Sequence, residues 1–110
     1  MIDPKPISMS ALAAFCLAAT MAPAAAQTAQ EQYDYLHAKC GPTLQMSKSE
    51  CDCIIAMAKS DLKGKELDMA VLMVKQDEAG IVKLQGEMTG AQMSNTVAFV
   101  TGAPTKCRNK

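Results

Sequence analysis

Apolar side chains recur every three or four positions along most of the chain, which is the spacing of one face of an α-helix. The first predicted helix is "AQEQYDYLHAKC", residues 29–40. Thr28 and Glu31 have the spacing of a capping box at its start, and Gly41-Pro42 is a stop signal at its end. One face of this helix carries Tyr33, Leu36 and Cys40.

A second helix is predicted to run to about Ser60. Two capping pairs can start it, either Ser47 with Glu50 or Ser49 with Asp52. Its apolar residues fall at helical spacing, so one face should be buried. They are Cys51, Ile54, Ile55, Ala58 and Leu62.

A third helix is predicted over "KELDMAVLMVKQ", residues 65–76, after a break at Lys63-Gly64. It is apolar nearly all the way round from Met69 to Val74, so we expect it to be the most buried helix. Asp77 can then cap a short fourth helix that ends near Gln85.

The last predicted helix begins after Thr89, which forms a third capping-box pair with Gln92, and ends at Gly102 and Pro104. The stretches "AVLMV" and "TVAFV" would also suit buried strands, but the caps and spacing favour helices. We therefore predict an all-α, single-domain bundle of about five short helices. The apolar positions of the last one are Met93, Val97 and Val100.

Residues 1–26 have the composition of a cleaved secretory signal: Lys5 near the start, an apolar run over 11–21, and small residues before Gln27. The run is about half the length that a bilayer-spanning helix needs, although an uncleaved anchor is the alternative. Cys16 lies inside this segment, and the bulky Phe15 before it argues against lipoprotein processing. The domain boundaries are therefore a signal over 1–26 and a folded domain over 27–110.

The predicted mature chain is electrically neutral, because the signal removes one acidic and one basic residue, Asp3 and Lys5, from equal totals. A neutral chain lacks the surplus of Lys and Arg that binds phosphate. We therefore expect no nucleic-acid partner, no attachment to anionic lipid and no membrane insertion of the mature chain.

Four cysteines remain after the signal, and three of them lie in "KCGPTLQMSKSECDC", residues 39–53. An even number of cysteines in a short exported chain is typical of a disulfide framework. The domain also needs one, because it is small and has no Trp, so its aliphatic core is thin. The predicted disulfide residues are Cys40, Cys51, Cys53 and Cys107.

Helix geometry limits how these cysteines can pair. Cys51 and Cys53 are two residues apart, so on a helix their side chains point about 200° from each other. Each should therefore bond to a different partner, one to Cys40 and the other to Cys107, in an order that the sequence leaves open. In the chain-entropy estimate, loops of about 12 and 55 residues contribute roughly 3 and 4 kcal/mol.

A metal site is the competing interpretation of the same residues. His37, Cys40, Cys51 and Cys53 supply one imidazole and three thiolates, a plausible tetrahedral zinc set, and Met69 with Met73 could hold Cu(I). The Cys-x-Cys spacing is tighter than that of a zinc knuckle, and methionines at helical spacing are usually core. We therefore predict no metal and no other cofactor.

A redox or catalytic role has less support. The stretch "CGPT", residues 40–43, resembles the thioredoxin active-site turn over three residues, but Cys40 lies at the predicted end of a helix, whereas a stabilised thiolate needs the start. The chain has one histidine, no phosphate-binding loop and no nucleophile beside a base. No catalytic residue is predicted, and we expect no enzyme.

The order of cysteines and helices, C…CxC…C, resembles that of small, uncharacterised, exported four-cysteine helical proteins of Gram-negative bacteria. The resemblance implies a helical, disulfide-bonded periplasmic product and assigns no activity to any residue. Together with the signal, it predicts a non-catalytic binding or accessory protein of the periplasm or extracellular space. The expected partner is a protein of the cell envelope, and the alternatives are a periplasmic Cu(I)/Zn carrier and a thiol-disulfide protein.

Overall fold

The computed structural model describes residues 27–110, which form five α-helices and contain no strand. This confirms the predicted all-α class. The predicted signal over 1–26 and Cys16 lie outside the described residues. The helices are α1 (Ala29–Leu44), α2 (Lys48–Asp61), α3 (Lys65–Lys75), α4 (Glu78–Gln85) and α5 (Gly90–Cys107).

The predicted caps determine where four of the five described helices begin, and α3 begins after Gly64 without a side-chain cap. Three capping boxes are present, with caps at Thr28, Ser47 and Thr89. Each cap side chain accepts a hydrogen bond from the backbone N–H three residues later, and the side chain of that later residue accepts from the backbone N–H of the cap. Of the two caps considered for α2, the structure uses Ser47. Asp77 starts α4 by accepting from the Gly80 N–H at 3.0 Å. These caps satisfy backbone donors that a helix start leaves unpaired.

Two predicted helix stops are wrong. α1 continues through Gly41-Pro42 to Leu44, and α5 continues through Gly102 and Pro104 to Cys107. A proline keeps a helical φ and removes only one backbone donor, so it interrupts a helix rather than ending it when packing holds the next turn. Here a disulfide cysteine lies within three residues of each proline, and α1 is capped by Gln45, which adopts the left-handed conformation at φ 55°.

The buried face of α5 also differs from the predicted one. Val97, expected on the apolar face, is 42% exposed, while Thr96 is fully buried and Phe99 packs inside the domain. The buried side follows from Cys107, which is bonded to Cys53 of α2 and shares one side of α5 with the residues one, two and three turns before it. That side carries Thr96, Phe99, Ala103 and Cys107.

The core consists of two clusters that meet at Phe99, which packs against both. The first joins α1, α2 and α3 and includes Leu36, Ala58 and Ala70. The second surrounds the disulfides and includes Met46 and Ile54. α3 has the largest share of buried residues, as predicted, and α4 has none. Within residues 27–110, no helix combines the length and apolarity needed to cross a bilayer.

Candidate functional site

The four cysteines of the described chain form two disulfides that both originate on α2. Cys51 is bonded to Cys40 of α1, with Cα atoms 5.8 Å apart, and Cys53 is bonded to Cys107 of α5, with Cα atoms 5.7 Å apart. Both separations are typical of disulfides. The structure thus resolves the pairing that the sequence left open and connects α2 covalently to the helices on either side of it.

These bonds determine what chemistry the cysteine stretch offers. Cys40 lies inside α1, four residues before its end, and its sulfur is bonded to Cys51. A thiol-disulfide active site instead places its reactive thiol at a helix start, where the helix dipole stabilises the thiolate. Met57 lies against the other disulfide, with its Sδ 3.5 Å from Cys107 Sγ. Cys107 itself is fully buried.

The residues of the alternative metal set have other partners. The Cys40, Cys51 and Cys53 sulfurs are in disulfides, and the His37 Nε2 is 2.6 Å from an Asp52 carboxylate oxygen. Among residues 27–110, no group of three or more His, Cys, Asp or Glu side chains has the arrangement of a metal site. Met69 is fully buried in the core, whereas Met73 is partly exposed.

The start of α2 carries two carboxylates with lowered pKa values. The Lys48 ammonium, 3.0 Å from Asp52, and then His37 hold the pKa of Asp52 below its ordinary value. The backbone N–H of Ser47, followed by that of Asn109, lowers the pKa of Glu50. Both carboxylates are on the surface and join α2 to neighbouring segments. Because each carboxylate already accepts hydrogen bonds from other groups of the protein, their arrangement indicates a structural role.

An open apolar pocket of about 90 Å³ lies between α1, α3 and α5. Ile54 of α2 lies at its base, and Leu36, Ala70 and Phe99 contribute walls from the three surrounding helices. Cys40 also lines it, so the disulfide to Cys51 fixes one wall. The lining is apolar apart from the side chains of Lys39 and Thr43, both exposed on α1.

Two lysines from different helices lie over the same aromatic ring, and one of them, Lys39, also lines this pocket. The Lys39 ammonium is 5.8 Å and the Lys75 ammonium 5.1 Å from the ring centroid of Tyr35. Val74, which precedes Lys75, is 36% exposed and lines the pocket. In the described part of the chain, the ion pairs involve only His37 and Lys48 with Asp52. Lys39 and Lys75 therefore have no carboxylate partner there.

A second, more polar pocket of about 150 Å³ lies on the other side of Phe99, between α2 and α5. Asp61, Lys106 and Met57 line it. The Asn95 amide beside them already donates to the Asp61 carbonyl and to Glu66, both at 2.9 Å. Phe99 and Ala103 line both pockets.

The sequence did not predict the apolar pocket. Its lining comes from four helices, and helical periodicity describes each helix without its neighbours. One signal could have indicated it: α3 has more apolar residues than one buried face can hold, and Val74 is one of those left over. The chain matches no protein-family model, no curated protein and no solved structure.

Proposed function

We propose that the protein is an exported, non-catalytic binding or accessory protein of the periplasm or extracellular space. In this proposal, the pocket between α1, α3 and α5 receives an apolar side chain of a partner protein of the cell envelope. The observation that carries the proposal is the pocket itself, an open apolar depression with one wall fixed by a disulfide. Protein interfaces concentrate their binding energy where one large side chain fills such a pocket.

The size of the pocket favours a side chain over a small-molecule ligand. Sites for drug-sized ligands and cofactors enclose roughly 300 to 1,000 Å³, whereas this pocket encloses about 90 Å³. A cofactor would therefore leave most of its surface in solvent, but one aliphatic or aromatic side chain could enter.

The chemistry of the lining supports binding rather than catalysis. Thr43 supplies the only hydroxyl and Lys39 the only titratable group among the lining residues. General acid-base or nucleophilic chemistry needs a base within hydrogen-bond distance of the reacting group. His37, the chain's only histidine, does not line the pocket and is bonded to Asp52.

Export is supported by the signal-like residues 1–26 and by the two disulfides, since such bonds persist in oxidising compartments. Fractionation of the native host should place the protein in the periplasm or medium, with its N-terminus at Gln27 by intact mass. Exported material that begins at Met1, or protein found only in the cytoplasm, would contradict this part of the proposal.

Site-specific photo-crosslinking tests the binding role. A benzophenone side chain is placed either at Val74, at the pocket, or at Val82 of α4, which is 67% exposed and outside it. Irradiation of the native compartment should give a defined protein adduct from position 74 and much less from position 82. Equal adduct yields at the two positions, or an adduct from position 82 alone, would show that the pocket is not the binding site.

A further inference from the structure

We infer that the partner segment is acidic: its apolar side chain enters the pocket while adjacent carboxylates pair with Lys39 and Lys75. This inference rests on the proposed function and adds the chemistry of the partner. It depends on one juxtaposition: Lys39 lines the apolar pocket, and its ammonium shares the ring of Tyr35 with the ammonium of Lys75.

Lys39 and Lys75 share the ring of Tyr35, whereas Lys59 lies alone over Tyr33. The Lys48 ammonium is paired with Asp52, and those of Lys63 and Lys65 donate to backbone carbonyls. Within residues 27–110, the ammonium groups of Lys39 and Lys75 lie near the face of Tyr35, a position that a cation can leave at small cost where it is exposed to water. Both are thus free to pair with anions on a bound molecule.

The lysines also come from two helices that approach each other at the pocket. Lys39 lies on α1 and lines the pocket directly, while Lys75 follows the lining residue Val74 on α3. No Asp or Glu lines the pocket. A partner with carboxylates on both sides of an apolar residue would complement the two ammonium groups, and a basic partner would be repelled.

The head group of an anionic lipid is negatively charged, as an acidic peptide is, but the pocket volume favours a peptide. A long acyl chain needs a cavity in the range of small-molecule sites, roughly 300 Å³ or more, and the pocket encloses about 90 Å³. One leucine-sized side chain is the better match. The proposal therefore commits to an acidic protein segment, and lipid binding becomes an outcome of the test.

The test titrates the oxidised mature protein with capped synthetic heptapeptides and follows its backbone amide NMR signals. Three peptides separate the contributions: GEELEEG is acidic with a leucine anchor, GSSLSSG is neutral with the same anchor, and GEEAEEG lacks the anchor. Binding should shift the signals of Val74, Val100 and Ala103. We expect GEELEEG to bind about threefold to tenfold more tightly than GSSLSSG, because exposed ion pairs contribute modestly, and GEEAEEG to bind most weakly.

Two double variants identify the groups responsible. Lys39→Gln with Lys75→Gln should remove the preference for GEELEEG over GSSLSSG. Lys63→Gln with Lys83→Gln, two exposed lysines outside the pocket, should preserve it. Added salt should also reduce the preference, since exposed pairs are screened.

The outcomes separate this inference from the function on which it rests. Equal affinity for GEELEEG and GSSLSSG would overturn the acidic assignment, while shifts at Val74 would still support the pocket. Failure of all three peptides to bind would overturn the inference, and the crosslinking result at position 74 would then decide the proposed function. Tighter binding of laurate than of GEELEEG would assign the pocket to lipid and overturn both.

Discussion

Cys51 and Cys53 are separated by one residue on α2, yet they are bonded to helices on opposite sides of it: Cys51 to α1 and Cys53 to α5. The cause is the 100° turn per helical residue, which places side chains two positions apart about 200° from each other. α2 therefore holds the domain together. The base and two walls of the apolar pocket belong to the three helices that these bonds connect.

The pairing can be read directly from peptides. Trypsin cuts after Lys39, Lys48, Lys59, Lys106 and Arg108, which leaves all four cysteines in one linked species. Asp-N then cuts between Cys51 and Asp52. The double digest without reduction should contain "CGPTLQMSK" joined to "SEC", and "DCIIAMAK" joined to "CR".

The same mass spectra test the alternatives to a disulfide framework. Exchange of the two links, with "CGPTLQMSK" joined to "DCIIAMAK", would contradict the pairing. Free thiols in the exported protein, with or without bound metal, would contradict the disulfide framework and support the metal or redox interpretation of Cys40, Cys51 and Cys53.

Removing either disulfide should destabilise the fold, and the longer loop should matter more. The bonds close sequence separations of 11 and 54 residues. In the chain-entropy estimate, these loops contribute roughly 3 and 4 kcal/mol, a large part of the net stability of a small domain. Urea unfolding followed by circular dichroism should rank parent, Cys40→Ala with Cys51→Ala, then Cys53→Ala with Cys107→Ala, in falling stability. Unchanged unfolding of both variants would show that the apolar core suffices alone.

The buried face of α5 is tested by neighbouring lysine substitutions. Thr96→Lys should cost several kcal/mol or prevent folding, because it places a charge at a fully buried position. Val97→Lys should change the free energy of unfolding by about 0.5 kcal/mol or less, since Val97 is 42% exposed. If Val97→Lys were more destabilising than Thr96→Lys, Val97 would belong to the core, as the sequence pattern suggested.

The helices were predictable to the extent that local chemistry determines them. Three capping boxes and the Asp77 cap set their starts, and the CxC spacing required two separate partners. The continuation of α1 through Pro42 and of α5 through Pro104, and the buried face of α5, were not predictable. In each case, contacts from distant parts of the chain, above all the bond from Cys53 to Cys107, outweigh the local signal.

The candidate site was predicted less well than the fold. The sequence identified the cysteines, but the pocket depends on how Phe99, Ile54 and Leu36 approach one another across three helices. Lys39 and Lys75 are 36 positions apart in the chain, and no sequence pattern indicates that they share the ring of Tyr35.

Acid should weaken the fold through the carboxylates at the start of α2. The folded-state pKa values of Asp52 and Glu50 lie below their ordinary values of 3.8 and 4.5. As the pH falls, the unfolded chain binds protons first. The stability these groups contribute is therefore complete above about pH 4.5 and is lost as the pH falls through the folded-state values.

The substitution Asp52→Asn isolates one of these carboxylates. It should lower the free energy of unfolding at pH 7, and the difference from the parent should shrink as the pH falls below the ordinary pKa of 3.8 and vanish once Asp52 is protonated in both states. Urea unfolding over a pH series measures this. A difference that stays constant with pH would show that the charge of Asp52 does not contribute.

The most direct test of the binding role compares Val74→Glu with Val82→Glu in the full exported chain. Both replace an exposed valine with the same charge, at 36% and 67% exposure, and only Val74 lines the pocket. After both variants are shown to melt like the parent, the measurement is their affinity for the partner recovered by crosslinking at position 74. The account predicts at least about a tenfold loss for Val74→Glu and parental affinity for Val82→Glu. Parental affinity for both, or equal loss in both, would contradict it.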